Sequence, residues 1–170
     1  MPKGLKQTSS TVAIGFSVTE SAANTFTQVQ NDLNLSPLDR EVFVVLAVNL
    51  DGSSPDAIAG TNTAVNGQLT TTSQTAQVDI NNSNCLAKRH ERIRAQGFID
   101  SGVAFSEQAL ETPPATLEYI GIIATNDFFV AIKGTGNTSA KTMSGKLYGY
   151  RAVASADIYA ALVQSEVLSA

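Results

Sequence analysis

Residues Leu38 to Asp51 read LDREVFVVLAVNLD, and this stretch decides the fold. In an extended chain Val42, Val44, Leu46, Val48 and Leu50 fall on one face, with Phe43, Val45 and Ala47 on the other. A strand apolar on both faces must be covered on both sides, so a central strand is expected. Asp39, Arg40 and Glu41 before it, and Asn49, Asp51 and Gly52 at its end, mark where it leaves the interior.

On its N-terminal side, Ser36-Pro37-Leu38-Asp39 has the composition of a turn. Residues 25–35 alternate, with Val29, Leu33 and Leu35 opposed to Gln28, Gln30, Asp32 and Asn34. Further back, TVAIGFSV (11–18) sets Val12, Ile14, Phe16 and Val18 on one side, as a half-buried strand requires. Residues 1–10 are polar, lack periodicity and read as a flexible arm. Lys3 and Lys6 are followed by no apolar run, so no ordinary signal peptide is expected.

On the C-terminal side, residues 51–63 form a loop by composition. Asn66-Gly67, between Ala64-Val65 and Gln68-Leu69, carries the signature of a two-residue hairpin. The Thr-rich run to Ile80 suits a strand exposed on one side, ended by Asn81–Asn84. CLAKRHERIRAQ (85–96) predicts a short internal helix capped by Asn84 and ended by Gly97, with a strand as the alternative. Residues 98–116 are mixed: Phe98, Ile99, Val103 and Phe105 are apolar, and Thr112-Pro113-Pro114 closes the segment as a loop. LEYIGIIA (117–124) and FFVAIK (128–133) predict two strands joined as a hairpin. Gly134-Thr135-Gly136-Asn137 turns the chain toward a strand over 143–153. Ser155 then opens a terminal helix, Ala156–Leu168, with Tyr159, Leu162, Val163 and Val167 on one stripe.

These elements predict an all-β antiparallel sandwich. A jelly roll of about eight strands fits best, with a short internal helix and a C-terminal helix. Strands do not alternate with helices as a parallel α/β sheet would demand. The expected organisation is an arm over 1–10, a sandwich domain over 11–154 and a helical tail over 155–170.

Charged residues make up 15% of the 170 residues, below the roughly 25% of ordinary soluble domains. Thr, Ser, Asn, Gln, Ala and Gly fill the difference, which suits either an extracellular surface or one covered by neighbouring subunits. A net charge of −4 provides no general attraction for nucleic acid or anionic membrane.

Chemistry-bearing motifs are scarce. Cys85 is the single cysteine and His90 the single histidine, so a His/Cys zinc site fails on counting. On a helix the two would face apart, and no GxSxG elbow accompanies them. Asp51–Asp56 departs from the EF-hand spacing and reads as an acidic turn. Gly134-Thr135-Gly136 follows a strand but opens no helix, so it is a turn and not a phosphate loop. The three N-x-S/T triplets at Asn34, Asn81 and Asn137 are of a frequency that chance supplies. No catalytic residue, metal or cofactor is assigned, and no enzyme is expected. Lys88, Arg89, Arg92 and Arg94 concentrate four of eleven positive charges within seven residues. With Tyr159, Leu162, Val163 and Val167 they are the candidate subunit contacts.

Taken with EVFVVLAVNL (41–50), LEYIGIIA (117–124), KLYGYRAV (146–153) and SADIYAALVQSEVL (155–168), this layout resembles the single jelly-roll capsid proteins of icosahedral viruses. The resemblance implies a virion structural protein that assembles with copies of itself. Members that bind genome directly carry a more basic arm. The weak arm here implies no direct nucleic-acid contact, and suits a shell lined by an internal membrane or by a second coat protein. An extracellular binding module or adhesin, recognising a glycan or a cell-surface partner, is the alternative.

Overall fold

The computed structural model describes residues 2–97, 105–110 and 116–169. Among the described residues ten strands precede one helix: β1 (Leu5–Gln7), β2 (Val12–Thr19), β3 (Thr27–Asp32), β4 (Glu41–Gly52), β5 (Thr63–Thr70), β6 (Cys85–Arg94), β7 (Phe105–Leu110), β8 (Gly121–Ile123), β9 (Asp127–Thr135), β10 (Thr142–Ala154) and α1 (Ala156–Leu168). Phe98, Ile99, Val103 and the Thr112-Pro113-Pro114 loop fall outside the described residues.

Among the described residues every ladder is antiparallel, and the pairing follows one rule. β2 pairs β10, β3 pairs β9, β4 pairs β8 and β5 pairs β6. The first half of the chain is thus laid against the second half in reverse, as one long hairpin. Rolled up, that hairpin yields two sheets, β2-β10-β4-β8 and β3-β9-β5-β6, which is jelly-roll wiring. β7 extends the second sheet beyond β6, and β1 continues the first along β10. Leu5, within the N-terminal segment, is buried there.

The core between the sheets is built around Phe16, Phe43, Phe128, Leu69, Ile132 and Leu147. Phe16 and Phe128 meet edge to face with centroids 5.9 Å apart, tying one sheet to the other. A second apolar layer lies outside the first sheet. There Val42, Val44, Ala152 and Tyr150 are covered by Ile158, Tyr159, Leu162 and Val163 of α1. The central strand is therefore covered on both faces, by the opposite sheet and by the helix.

Its alternation is interrupted once. Ala47 pairs Tyr148 and Val45 pairs Gly149, so Leu46 is a bulge without a cross-strand partner. Beyond it the faces exchange: Val48 and Leu50 join Phe43 and Val45 in the inner core, while Ala47 is exposed. The simple two-face reading of residues 42–50 is corrected accordingly.

Further expectations are revised. Residues 85–94 form strand β6, the alternative to the internal helix. Ladders to β5 and β7 satisfy its backbone on both sides, which outweighs the local preference of Leu, Lys, Arg and Glu for helix. Asn66-Gly67 is not a turn but the middle of β5. A methyl group on Gly67 would lie 2.0 Å from Met143 Sδ, so the glycine admits a side chain from the facing sheet. No strand continues to Ile80, because the chain leaves the sheet after Thr70 and crosses its outer face.

Residues 117–124 contribute only the three residues of β8. β8 and β9 do not form a hairpin, since β8 pairs β4 in one sheet while β9 lies between β3 and β5 in the other. The link between them is an arch held by its own polar groups. Asn126 Oδ1 accepts from Leu35 N at 2.6 Å and Asn126 O from Leu33 N at 2.8 Å. Ser155 stands at the helix N-cap, but its side chain makes no capping bond.

Candidate assembly surfaces

The basic run lies on β6, where strand geometry divides it between two faces. Arg89 points inward, is 7% exposed and donates to Glu91 Oε2 at 3.0 Å. Lys88 is on the outer face, donating to Val78 O and lying 3.2 Å from Asp79 Oδ1. Arg92 and Arg94 are exposed and line an open cavity of about 270 Å³ with Asn62, Thr63, Ala64, Ile93 and Thr135. A pairing of Arg89 with Arg92, which a helix would produce, is lost.

The helical stripe is divided in the same way. Tyr159, Leu162 and Val163 pack on the chain's own first sheet, whereas Val167 is 59% and Leu168 75% exposed. Thus Arg92, Arg94 and Val167 are the members of the sequence-derived set that face solvent.

Cys85 and His90 are not brought together. Five residues apart along a strand, they stand roughly 16 Å apart. Cys85 is buried, with its thiol 3.5 Å from Ala87 O. Among the described residues no group of three or more His, Cys, Asp or Glu is placed to hold a metal ion.

Sequence reasoning missed the groups that fasten the two ends of the sandwich. At one end Glu20, 3% exposed, accepts from Gly134 N at 2.6 Å and Lys141 N at 2.9 Å. Asn137 exchanges two bonds with Asn24 and donates to Ala64 O at 2.8 Å, so its N-x-S/T triplet is a structural clamp. Asp56 meets Lys141 Nζ at 2.5 Å and accepts two bonds from Thr138. The Lys141 bond, with those from Thr138, holds its carboxyl well below the usual range. The Asp56 carboxylate of the acidic turn is therefore engaged within the chain. At the opposite end Arg151 spans Leu33 O at 2.6 Å, Asn34 O at 2.9 Å and Glu41 Oε2 at 3.1 Å.

A third fastening involves α1. Glu166, 7% exposed, accepts from Ala124 N at 2.9 Å and from Thr125 N and Oγ1 at 3.1 Å. Burial pushes its carboxyl above the ordinary value, while the bonds from Ala124 and Thr125 pull it down. Position in the last turn, at the negative end of the helix dipole, disfavours the charge further. No single-sequence signal marks Glu166, because a glutamate on a terminal helix ordinarily faces water.

Beside the first turns of α1 lies an apolar groove of about 230 Å³, lined by Leu35, Pro37, Ala124, Thr125, Asn126, Tyr159 and Val163. Next to Pro37, at its rim, Leu38 is 94% exposed.

No family model and no curated relative matches the chain. Among solved structures it aligns with the tailspike protein gp49 from Acinetobacter baumannii bacteriophage Fri1, a capsular polysaccharide depolymerase. The alignment has a TM-score of 0.17 and 9% identity, covering 74% of this chain and 20% of that one. The chain thus spans about a fifth of the tailspike's length. A likeness at that TM-score carries no argument about fold or activity, and the architecture rests on the strand pairing alone.

Proposed function

We propose that this chain is a virion structural protein that builds a shell by repeated contacts between copies of itself. The observation that supports the reading best is the combination of complete jelly-roll wiring with inward use of polar chemistry. Glu20, Asp56, Arg89, Lys141, Arg151 and Glu166 each bind groups of the same chain. The outward surface is largely uncharged loop and strand edge, with scattered charges such as Arg92 and Arg94 and exposed apolar side chains such as Leu38, Val167 and Leu168. Surfaces of that kind bury well against sibling molecules at little desolvation cost.

On this reading the partners are copies of the chain, with a second coat protein or an internal membrane beneath the shell. The location is the virion. The net charge of −4 supports a shell that does not hold nucleic acid directly. No catalytic residue is assigned. Purified protein is expected to form capsomer-sized or larger particles by light scattering and negative-stain imaging. A strictly monomeric species at high concentration in several salts overturns the reading.

A further inference from the structure

The helix α1 covers an apolar face, yet its hold on that face is shallow. Beneath it Val42, Val44 and Ala152 are fully buried and Ala124 nearly so. Above them Ile158, Tyr159, Leu162 and Val163 are only half-buried, and the one buried side chain of α1 is Glu166. The helix has little stability of its own. At 13 residues it is marginal in isolation, Ser155 makes no capping bond, and the last turn carries no basic residue. Its start is the better fixed end. Ser155 N donates to Gly4 O at 3.1 Å, and Ile158 lies so close to Gly4 that a methyl there would meet it at 2.1 Å. The far end hangs on one carboxyl, through the bonds from Ala124 and Thr125.

No positive charge answers that carboxyl among the described residues. It shares a half-open cavity of about 180 Å³ with Ser165 and Ser169 of the helix end, Thr71, Ser83 and Asn84 of the β5–β6 segment, and apolar residues of β6 and β8. None of these titrates or is charged. The charges on the surrounding elements are engaged elsewhere: Lys88 with Asp79, Arg89 with Glu91, Asp127 with Gln30, while Glu118 acts on Tyr150. Asp157, the other charged residue of α1, lies roughly 14 Å away along the helix axis. Neutral, Glu166 still accepts from the arch at no electrostatic cost. Ionised, it is an uncompensated charge at the negative end of a helix, beside a cavity through which water reaches it. Burial raising its carboxyl agrees with this geometry.

We infer that α1 is a detachable cover, docked while Glu166 is neutral and pivoting about Ser155 away from the first sheet when Glu166 ionises, so that Val42, Val44 and Ala124 are bared. The inference is independent of the self-assembly reading, because it concerns one chain.

The test is hydrogen exchange of the full-length protein followed by mass spectrometry, corrected for intrinsic rates, from about pH 4 to about pH 8. Wild type is compared with Glu166→Gln, and the amides of β4 and β10 report folding in the same samples. Expected in wild type is protection of α1 that falls by up to tenfold per pH unit above the ordinary glutamate value of about 4.3 and levels off past the raised native one, while β4 and β10 stay protected. In Glu166→Gln the α1 profile is flat, whatever its level. Wild-type protection that is flat, or that falls equally in Glu166→Gln, overturns the inference. So does loss of α1, β4 and β10 together, which is unfolding and not undocking.

Discussion

The two sheets solve one problem in two ways. Each must cover an outer face, and the first does so with the apolar side of α1, seating Ile158, Tyr159, Leu162 and Val163 on Val42, Val44 and Ala152. The second uses the polar segment between β5 and β6. Val78 N donates to the fully buried Gln68 Oε1 at 2.8 Å, and Gln77 Nε2 reaches Asn66 O at 3.3 Å. Gln28 holds Ser73 and Gln74 at 2.8 and 2.9 Å, and Lys88 closes on Val78 O. An apolar cover is graded and non-directional, whereas an amide cover depends on each bond being made. The chain therefore needs few charges, because amides do on one face what hydrocarbon does on the other.

The same chemical insult should separate the faces most sharply. Val44→Asp places a carboxylate under the helix among aliphatic neighbours, at an expected cost of about 3–5 kcal/mol in urea unfolding. Gln68→Glu, on the amide face, keeps the acceptor for Val78 N and stands in register with Lys88. Its cost should be less than half as large, and equal costs would erase the distinction.

Truncation sharpens it. Leu162→Ala should cost about 2 kcal/mol through lost contact with the sheet. Gln68→Ala strands the N–H of Val78 and should cost about 1–2 kcal/mol. Gln68→Leu and Gln68→Ala both remove the amide whose Nε2 has no partner, but Gln68→Leu fills space that Gln68→Ala leaves empty and should be milder. The order of the two Gln68 variants in thermal unfolding is the check.

Two of the fastening carboxylates, Glu166 on the helix and Asp56 at one end of the sandwich, respond oppositely to pH. Glu166 is raised, so the native state holds its proton longer than the unfolded chain. Its stabilisation is fully present below the unfolded value of about 4.3 and is lost as pH rises through the raised native value. Glu166→Gln should flatten that decline. Asp56 is lowered, so its stabilisation is present above the ordinary aspartate value of about 3.9 and is lost as pH falls through the native one. Asp56→Asn should be less stable than wild type at neutral pH, with the gap closing in acid. A Tm series over pH for both variants decides it.

The smallest effect belongs to the rim of the amide cover. Asp79 is 89% exposed where it meets Lys88, so Asp79→Asn should change unfolding free energy by no more than about 0.5 kcal/mol.

Much of this architecture is legible in the chain. Alternation placed β2 with its apolar side inward, and the apolar density of EVFVV required cover on both faces, although the bulge at Leu46 breaks the alternation of β4. Glu166, Asn137 and Glu20 were illegible because a polar side chain in sequence gives no sign of the backbone groups it will meet. Gly67 misled for a related reason: Asn-Gly favours a turn, and only Met143, more than seventy residues away, explains a glycine inside a strand. The basic run behaved likewise, since helix and strand distribute Lys88, Arg89, Arg92 and Arg94 differently and two neighbouring ladders chose.

By itself the sequence determined that this is an antiparallel sandwich with a docked terminal helix, because hydrophobic periodicity is a local consequence of the pleat and the helical turn. Tertiary structure alone decided which strands share a sheet, where the bulge at Leu46 exchanges the faces, and which polar groups become clamps. Those outcomes depend on pairing between distant segments, and the partner of a hydrogen bond is not written beside its donor.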